Sequence, residues 1–237
     1  MWAAKLVLEM QPKWFRDFWL CDIDPEGIRL LNALQAEHAS ENRRVTVVPG
    51  DFNGKLADIL SSGQITDRTA TFALLDQRTF ECEWQTVAAL ARHKTSGNKI
   101  ELFYFFPTGW VDRSLAAVST DKTKAKVVRW WGRQDWHELL GMDGTVRAQK
   151  VADRFEHELG YKKVVAYPIH SEKRGGRVMY HMIHATDHPD AFTLMVRAYR
   201  KVSGRPDIEI TEQQLDLEDL LREIQTGADG GETVAKP

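Results

Sequence analysis

Residues 18–25 read Phe-Trp-Leu-Cys-Asp-Ile-Asp-Pro, and this stretch decides the expected fold. Phe18 to Cys21 form a compact apolar run, which is typical of a strand buried on both faces. Pro25 follows an acidic turn, and proline is favoured in the first turn of a helix, where its missing N–H is not needed. We therefore predict a buried strand followed by a helix that continues to about His38.

The same order of strand and helix recurs along the chain. Continuous apolar runs at Val45–Pro49, Ala70–Leu75 and Lys99–Phe106 predict three more strands, separated by segments with helical spacing of apolar residues. Such strands are typical of a parallel sheet with helices on both faces. Residues 164–169 and 177–183 predict an antiparallel hairpin. The expected fold class is α/β, mostly parallel with a C-terminal antiparallel hairpin.

Composition limits the class of protein. The chain has 237 residues, 43% of them apolar and 28% charged, as in globular proteins, and its formal net charge is −2, so no global basic field attracts nucleic acid. The two cysteines, Cys21 and Cys82, are too few for a disulfide scaffold and predict reduced thiols in a cytoplasmic protein. No apolar run approaches the ~20 residues that cross a membrane, and the amino end lacks a signal-peptide profile, so we expect no membrane partner.

One domain and a short C-terminal appendage are expected. The α/β domain spans residues 1–205 and includes a basic, tryptophan-rich insertion at 110–142. An amphipathic pattern predicts a C-terminal helix within 206–226. The Gly-rich, polar stretch 227–237 is predicted to be disordered.

Carboxylates recur where the predicted strands end. Asp22 and Asp24 follow the first strand, Asp51 the second and Asp76 the third, and the carboxyl ends of parallel strands meet at one edge of a sheet. A carboxylate at this edge can accept hydrogen bonds from the two hydroxyls of a ribose. Asp51 can accept one from the exocyclic amine of a base, while the Phe52 ring packs on that base. The alternative is that each aspartate caps the following helix. A metal-dependent nuclease is a further, less favoured hypothesis, because no spacing motif for a two-metal site is present.

Several stretches carry a family resemblance. Three short motifs resemble those of class I S-adenosylmethionine-dependent methyltransferases: 18–25 (FWLCDIDP), 47–52 (VVPGDF) and 72–76 (FALLD). Three other runs are similar to the three-Cys-motif partner protein family: 75–84 (LDQRTFECEW), 100–110 (IELFYFFPTGW) and 180–189 (YHMIHATDHP). The likeness covers residues 14–202.

The resemblance implies a Rossmann-like methyltransferase sheet and a cofactor, S-adenosylmethionine. It implies that the cofactor is held by Asp22 and Asp24, with Asp51 and Phe52 near the adenine. The family is named for an encoded neighbour with a three-cysteine motif, so a protein of that kind is an expected partner. The fold supports the function only by analogy.

The chain departs from the family at its first motif. Methyltransferases of this class begin with a strand and a glycine-rich turn that approaches the methionine part of the cofactor. The 17 residues before Phe18 contain no glycine. In the usual strand order the missing strand lies centrally, so its loss either exposes two rows of unpaired backbone groups or forces the flanking strands to pair. The start is truncated, or another chain supplies the strand, or cofactor binding has been lost.

The loop after the third strand is the candidate catalytic segment. Asp76, Gln77, Arg78 and Glu81 stand where amino-methylating enzymes hold a flipped base. Arg78 suits a phosphate, and Asp76 suits an amine. The alternative is that Asp76 and Thr79 cap the next helix while Arg78 pairs with a neighbouring glutamate.

The insertion carries a candidate nucleic-acid surface. Basic residues interleave with aromatic ones, which can hold a backbone and stack bases. The candidate residues are Lys122, Lys124, Lys126, Arg129, Trp130 and Arg133. The alternative is a solvated helix whose tryptophans pack inward.

No metal site is predicted. His181 and His184 lie three residues apart on a predicted strand, so their side chains point to opposite faces.

Two function hypotheses lead. The first is a methyltransferase-like three-Cys-motif partner protein acting on or with nucleic acid, and the second is a non-catalytic binding partner of a three-Cys-motif protein.

Overall fold

The structure is a computed structural model, and it describes residues 3–39, 42–171 and 176–203. These residues form eight α-helices: α1 (Ala3–Glu9), α2 (Pro25–Glu37), α3 (Phe52–Leu60), α4 (Trp84–Arg92), α5 (Thr108–Ala116), α6 (Asp121–Trp131), α7 (Gly144–His157) and α8 (Pro189–Ser203). They also form six strands: β1 (Asp17–Asp22), β2 (Arg44–Pro49), β3 (Phe72–Leu75), β4 (Glu101–Phe106), β5 (Lys163–His170) and β6 (Val178–Thr186). A 3₁₀-helix, Gln134–Leu139, follows α6. The predicted mixed α/β class is confirmed.

The strands form two sheets rather than the single, mostly parallel sheet that the sequence predicts. β1 and β2 pair in parallel, from Asp17 opposite Arg44 to Asp22 opposite Pro49. The second sheet has the order β3-β4-β6-β5, in which β3 and β4 are parallel and both pairings of β6 are antiparallel. The predicted hairpin is present. Its second strand inserts beside β4, which makes the four-stranded sheet mixed.

A break separates the two sheets. Among the described strands, β1 pairs only with β2, and β3 pairs only with β4. Each therefore keeps one edge without a strand partner.

Two clusters of buried apolar residues hold the helices to the sheets. The larger one lies around the four-stranded sheet, and half-buried Trp19, Cys21 and Val48 from β1 and β2 pack against it. In the smaller one, Leu8 of α1 and Leu31 of α2 pack with side chains of β1 and β2. One face of the two-stranded sheet thus carries α1 and α2, and the other contacts the main core.

The tryptophan-rich segment 110–142 is mostly helical. It forms α5, α6 and the 3₁₀-helix, and it contributes Val111, Val127 and Leu139 to the larger core cluster. The segment is therefore an integral part of the main core and not a separate insertion.

The chain divides into two compact units, residues 1–193 and 194–237. The predicted C-terminal helix within 206–226 and the predicted tail 227–237 lie outside the described residues. Within the described part of the chain, no helix is both long enough and apolar enough to span a membrane.

Candidate functional site at the carboxyl ends of β1, β2 and β3

Two carboxylates lie at the junction of β1 and α2. Asp24 is the N-cap of this helix and accepts a hydrogen bond from the Gly27 N–H at 3.2 Å. Asp22 is half-buried, and its Oδ1 accepts a hydrogen bond from the Asp24 N–H at 2.9 Å. Capping therefore accounts for Asp24. A carboxylate has about four acceptor positions, so Asp22 keeps capacity for a ligand's hydroxyls.

Gly27 leaves the space that the Asp22 carboxylate occupies beside the first turn of α2. Gly27 is buried, and a Cβ placed on it would come within 2.2 Å of Asp22 Oδ2. Such a distance is a steric clash, so any larger residue would turn the carboxylate away. The geometry of Asp22 thus depends on a glycine in the first turn of the following helix.

The pair that follows β2 begins α3. Asp51 is exposed and is the N-cap of this helix, accepting hydrogen bonds from the backbone N–H of Asn53 at 3.0 Å and from its side-chain amide at 2.9 Å. Phe52 is half-buried and packs against the larger core cluster. The capping alternative therefore applies to Asp51, and both of these hydrogen bonds go to its Oδ1.

Asn53 joins the end of β2 to the loop that follows β3. Its Nδ2 donates to the Glu81 carbonyl at 2.7 Å, and its Oδ1 accepts from the Glu83 N–H at 3.0 Å and from the Thr86 hydroxyl at 2.7 Å. One side chain thus brings the carboxyl edges of the two sheets together. Sequence reasoning missed Asn53, and the only available signal was its position two residues after a strand-end Asp.

The loop from Asp76 to Glu81 separates into surface and interior residues. Asp76 is exposed, and partial desolvation, together with the nearby Glu81 carboxylate, raises the pKa of its carboxyl group. Arg78 is also exposed, and its backbone N–H donates to Glu81 Oε2 at 2.9 Å. Asp76, Arg78 and Glu81 are therefore available to a ligand.

Gln77 is not available in the same way. Its side chain is buried, donates to the Phe105 carbonyl at 3.3 Å and accepts from the Cys82 N–H at 3.1 Å. Its predicted catalytic role is corrected to a structural one, because both ends of the amide are engaged inside the fold. The capping alternative for this loop is also wrong, since α4 begins at Trp84 and its N-cap position is Glu83.

The basic residues of the predicted nucleic-acid surface are all exposed, and three of them form ion pairs. Lys122, Lys124 and Lys126 are exposed on α6, and Lys124 lies 3.7 Å from the Asp121 carboxylate. The two arginines are engaged: Arg129 with Glu83 and Arg133 with Glu158, each pair at 2.7 Å.

Trp130 does not belong to that surface. It is only 3% exposed, donates from Nε1 to the Tyr104 hydroxyl at 2.9 Å, and packs against Phe80 with ring centroids 4.8 Å apart. Its prediction as a base-stacking residue is wrong, because apolar positions on α6 face the core. The inward-packing alternative is correct for Trp130.

The thiols and histidines have structural environments. Burial raises the pKa of Cys82 to about 12 and that of Cys21 to about 11, so neither thiol ionises readily. His181 Nδ1 lies 2.8 Å from Thr108 Oγ1. His184, the other buried histidine of β6, forms a hydrogen bond with the Glu101 carboxylate. Within the residues that the structure describes, no group of three or more candidate ligands could hold a metal ion.

Comparisons with known proteins give no family. A scan against models of protein families finds no match, and a search of curated proteins finds no significant match either. What the fold defines is a class of architecture: a mixed α/β protein with a two-stranded parallel sheet and a four-stranded mixed sheet.

Proposed function

We propose that the chain is a methyltransferase-like protein of the three-Cys-motif partner kind, which binds the nucleoside part of S-adenosylmethionine and acts on or with nucleic acid. The observation that carries the proposal is the half-buried Asp22 carboxylate, positioned at the end of β1 by Asp24 and Gly27. The strand arrangement supports it. β1 pairs with β2, β3 pairs with β4, and β5 of the hairpin is an edge strand of the four-stranded sheet.

The residues present fit the nucleoside half of the cofactor. In the proposed site Asp22 accepts hydrogen bonds from the ribose hydroxyls, and Asp51 and Phe52 lie beside the adenine. The methionine half is different, since no glycine-rich turn precedes β1 in the described residues. We therefore expect the chain to recognise adenosine almost as well as S-adenosylhomocysteine.

The remaining candidate residues have roles on the substrate side. The bound cofactor would supply an electrophilic methyl group. Asp76, with its raised pKa, would orient an acceptor amine, and Arg78 would pair with a phosphate. The exposed lysines of α6 would hold the backbone of a nucleic acid.

The test is titration calorimetry with adenosine and with S-adenosylhomocysteine. Saturable binding of both is expected, with dissociation constants within about threefold of one another. Asp22→Asn should weaken both about 10- to 100-fold, since a hydrogen bond to a charged group contributes roughly 1.5–3 kcal/mol.

Two further variants separate the geometry of Asp22 from its charge. Gly27→Ala keeps the carboxylate but turns it away, so it should weaken binding as much as Asp22→Asn while leaving the helix intact. Asp58→Asn, an exposed carboxylate on α3, is the matched control and should bind normally. If neither ligand binds, or if Asp22→Asn binds as tightly as the unaltered chain, the proposal is wrong.

A second candidate function is a non-catalytic binding partner. The specific observation in its favour is the pair of unpaired strand edges on β1 and β3. An absence of nucleoside binding would put this candidate first.

A further inference from the structure

The amino-terminal half of α6 extends beyond the core. All six residues from Asp121 to Lys126 are exposed, whereas Trp130 and Trp131 in the second half of the helix are buried. A helical segment that is exposed on every side gains nothing from packing, so another interaction has to stabilise it. The capping box formed by Thr120 and Thr123 does so at the start of the helix. The helix therefore presents to solvent nearly two turns that the core does not use.

Three basic residues share one face of this helix. Lys122, Lys126 and Arg129 follow one another at intervals of four and three residues, and side chains with these spacings lie one above the other. Lys124 is two residues away from each of the other lysines, which turns it by ~200° about the helix axis, to the opposite side. The side that carries Lys122, Lys126 and Arg129 is called the basic face below.

The lysines on the two sides of α6 also differ in their ion pairs. Lys124 lies 3.7 Å from the Asp121 carboxylate, whereas Lys122 and Lys126 form no ion pair with the residues that the structure describes. Lys122 also stands in the first turn of the helix, where the macrodipole disfavours a cation. Its charge and the positive end of the helix both attract an anion. The basic face thus offers two ammonium groups to an anion from outside the chain.

The basic face ends beside the loop that follows β3. Arg129 pairs with Glu83 at 2.7 Å, and the neighbouring Trp130 packs against Phe80 with ring centroids 4.8 Å apart. Phe80 belongs to the candidate catalytic loop, and Glu83 follows it directly before α4. Lys122 precedes Arg129 by seven residues, which is ~10 Å along the helix axis. The basic face therefore leads from the exposed start of α6 to the candidate catalytic loop.

The loop has the opposite charge to the basic face. Asp76 and Glu81 are exposed carboxylates, which repel a phosphate but accept hydrogen bonds from an amine. The ammonium groups of Lys122 and Lys126 attract a phosphate and have no acceptor to offer to an amine. Charge thus directs the two parts of a nucleotide to different places. The base suits the loop, and the backbone suits the basic face.

We propose that the basic face of α6 binds the backbone of a single-stranded nucleic acid and leads a base of that strand to the loop after β3. One row of cations contacts one backbone, whereas the groove of a duplex places phosphates on both sides of an inserted helix. A base of a single strand also enters the loop at the least cost, because no base pair has to be broken. This inference rests on the proposed function, since it names the strand state of the substrate and the face that holds it.

The test is fluorescence anisotropy of the full chain with a labelled single strand of mixed sequence, and with the same strand annealed to its complement. Lys122→Gln and Lys126→Gln should each weaken binding of the single strand about threefold or more and lower the slope of log affinity against log salt concentration by ~0.7. Lys124→Gln, on the opposite side of the same helix, is the matched control and should change neither quantity. All three lysines are exposed, so each variant should fold.

Photocrosslinking tests where the base lies. A strand that carries 4-thiothymine at one internal position, moved along the strand from probe to probe, should crosslink to residues 76–81 at one or more of these positions. Mass spectrometry of the digested chain identifies the crosslinked peptide. The double variant Lys122→Gln/Lys126→Gln should lose this crosslink under conditions in which Lys124→Gln keeps it. Crosslinks confined to other segments would overturn the proposal.

The binding results also have outcomes that contradict the proposal. If Lys124→Gln weakens binding as much as the other two variants, phosphates surround the helix, and the single-strand assignment is wrong. It is equally wrong if the duplex binds more tightly than the single strand, or if the chain binds neither.

Titration of adenosine into the same proteins separates this inference from the proposed function. Lys122→Gln and Lys126→Gln should bind adenosine as the unaltered chain does, because neither residue belongs to the nucleoside site. Adenosine binding without face-specific binding of the strand would overturn the present inference alone. An absence of adenosine binding would overturn the proposed function.

Discussion

Replacing Asn53 by alanine tests whether one side chain holds the carboxyl edges of the two sheets together. Its amide makes three hydrogen bonds to the segment after β3, with the Glu81 carbonyl, the Glu83 N–H and the Thr86 hydroxyl. Each hydrogen bond contributes a net ~1 kcal/mol, so Asn53→Ala should lower the free energy of unfolding by about 3 kcal/mol. The Thr86 hydroxyl is buried and would be left without that partner, which keeps the cost at this level.

The assay is urea denaturation followed by circular dichroism, and two variants calibrate it. Asn53→Asp replaces the donor by a carboxylate oxygen that faces the Asp51 carboxylate and the Glu81 carbonyl, so it should cost at least as much as alanine. Thr86→Val removes one of the three hydrogen bonds and should lower the free energy of unfolding by about 1 kcal/mol. In the double variant with Asn53→Ala this bond is lost only once, so the two losses should fall short of additivity by a coupling energy of similar size. A loss below 1 kcal/mol for Asn53→Ala, or a clearly smaller loss for aspartate than for alanine, would refute the assignment.

Two further outcomes are expected. The double variant Lys122→Gln/Lys126→Gln should weaken binding of a labelled single-stranded oligonucleotide and reduce the slope of log affinity against log salt concentration by about 1.4, that is ~0.7 for each phosphate that a lysine no longer neutralises. The control is Lys162→Gln, which changes an exposed lysine outside α6. An unchanged slope in the double variant would contradict the proposed binding of nucleic acid by the α6 lysines. Burial, only partly offset by nearby charge, lowers the pKa of His181 from 6.5 to about 4. Between these values the unfolded chain binds a proton that the native one lacks, so the free energy of unfolding falls as the pH falls from 6.5 towards 4, by about 3 kcal/mol. In His181→Gln, the free energy of unfolding measured by urea denaturation should lose this part of its pH dependence. If the variant kept the pH profile of the unaltered chain, the prediction would be wrong.

The sequence predicts local features well where a single physical cause dominates. Continuous apolar runs identify the strands because a strand covered on both faces has no polar side. Pro25 and Asp24 identify the start of α2, since proline and an N-cap aspartate both suit a first turn. The same local chemistry also accounts for Asp51 as a cap, so a strand-end carboxylate on its own does not identify a ligand site.

Contacts between distant segments are where sequence reasoning failed. Trp130 and Lys126 lie on the same helix, and their spacing alone does not say which of them faces the core. The structure shows that Trp130 bonds to Tyr104 of β4 inside the core. Gln77 stands in a loop of polar residues, yet its side chain is turned inward to Phe105 and Cys82.

The sequence by itself determined the α/β class, the positions of the strands and the series of carboxylates at their ends, because these follow from apolar runs and from turn chemistry within a few residues. Only the tertiary structure decided that the strands form two sheets and that β6 pairs between β4 and β5. It also decided that Gly27 leaves room for Asp22 and that Asn53 joins the edges. Strand pairing and side-chain packing depend on which distant segments meet, and the spacing of residues along the chain does not specify those meetings.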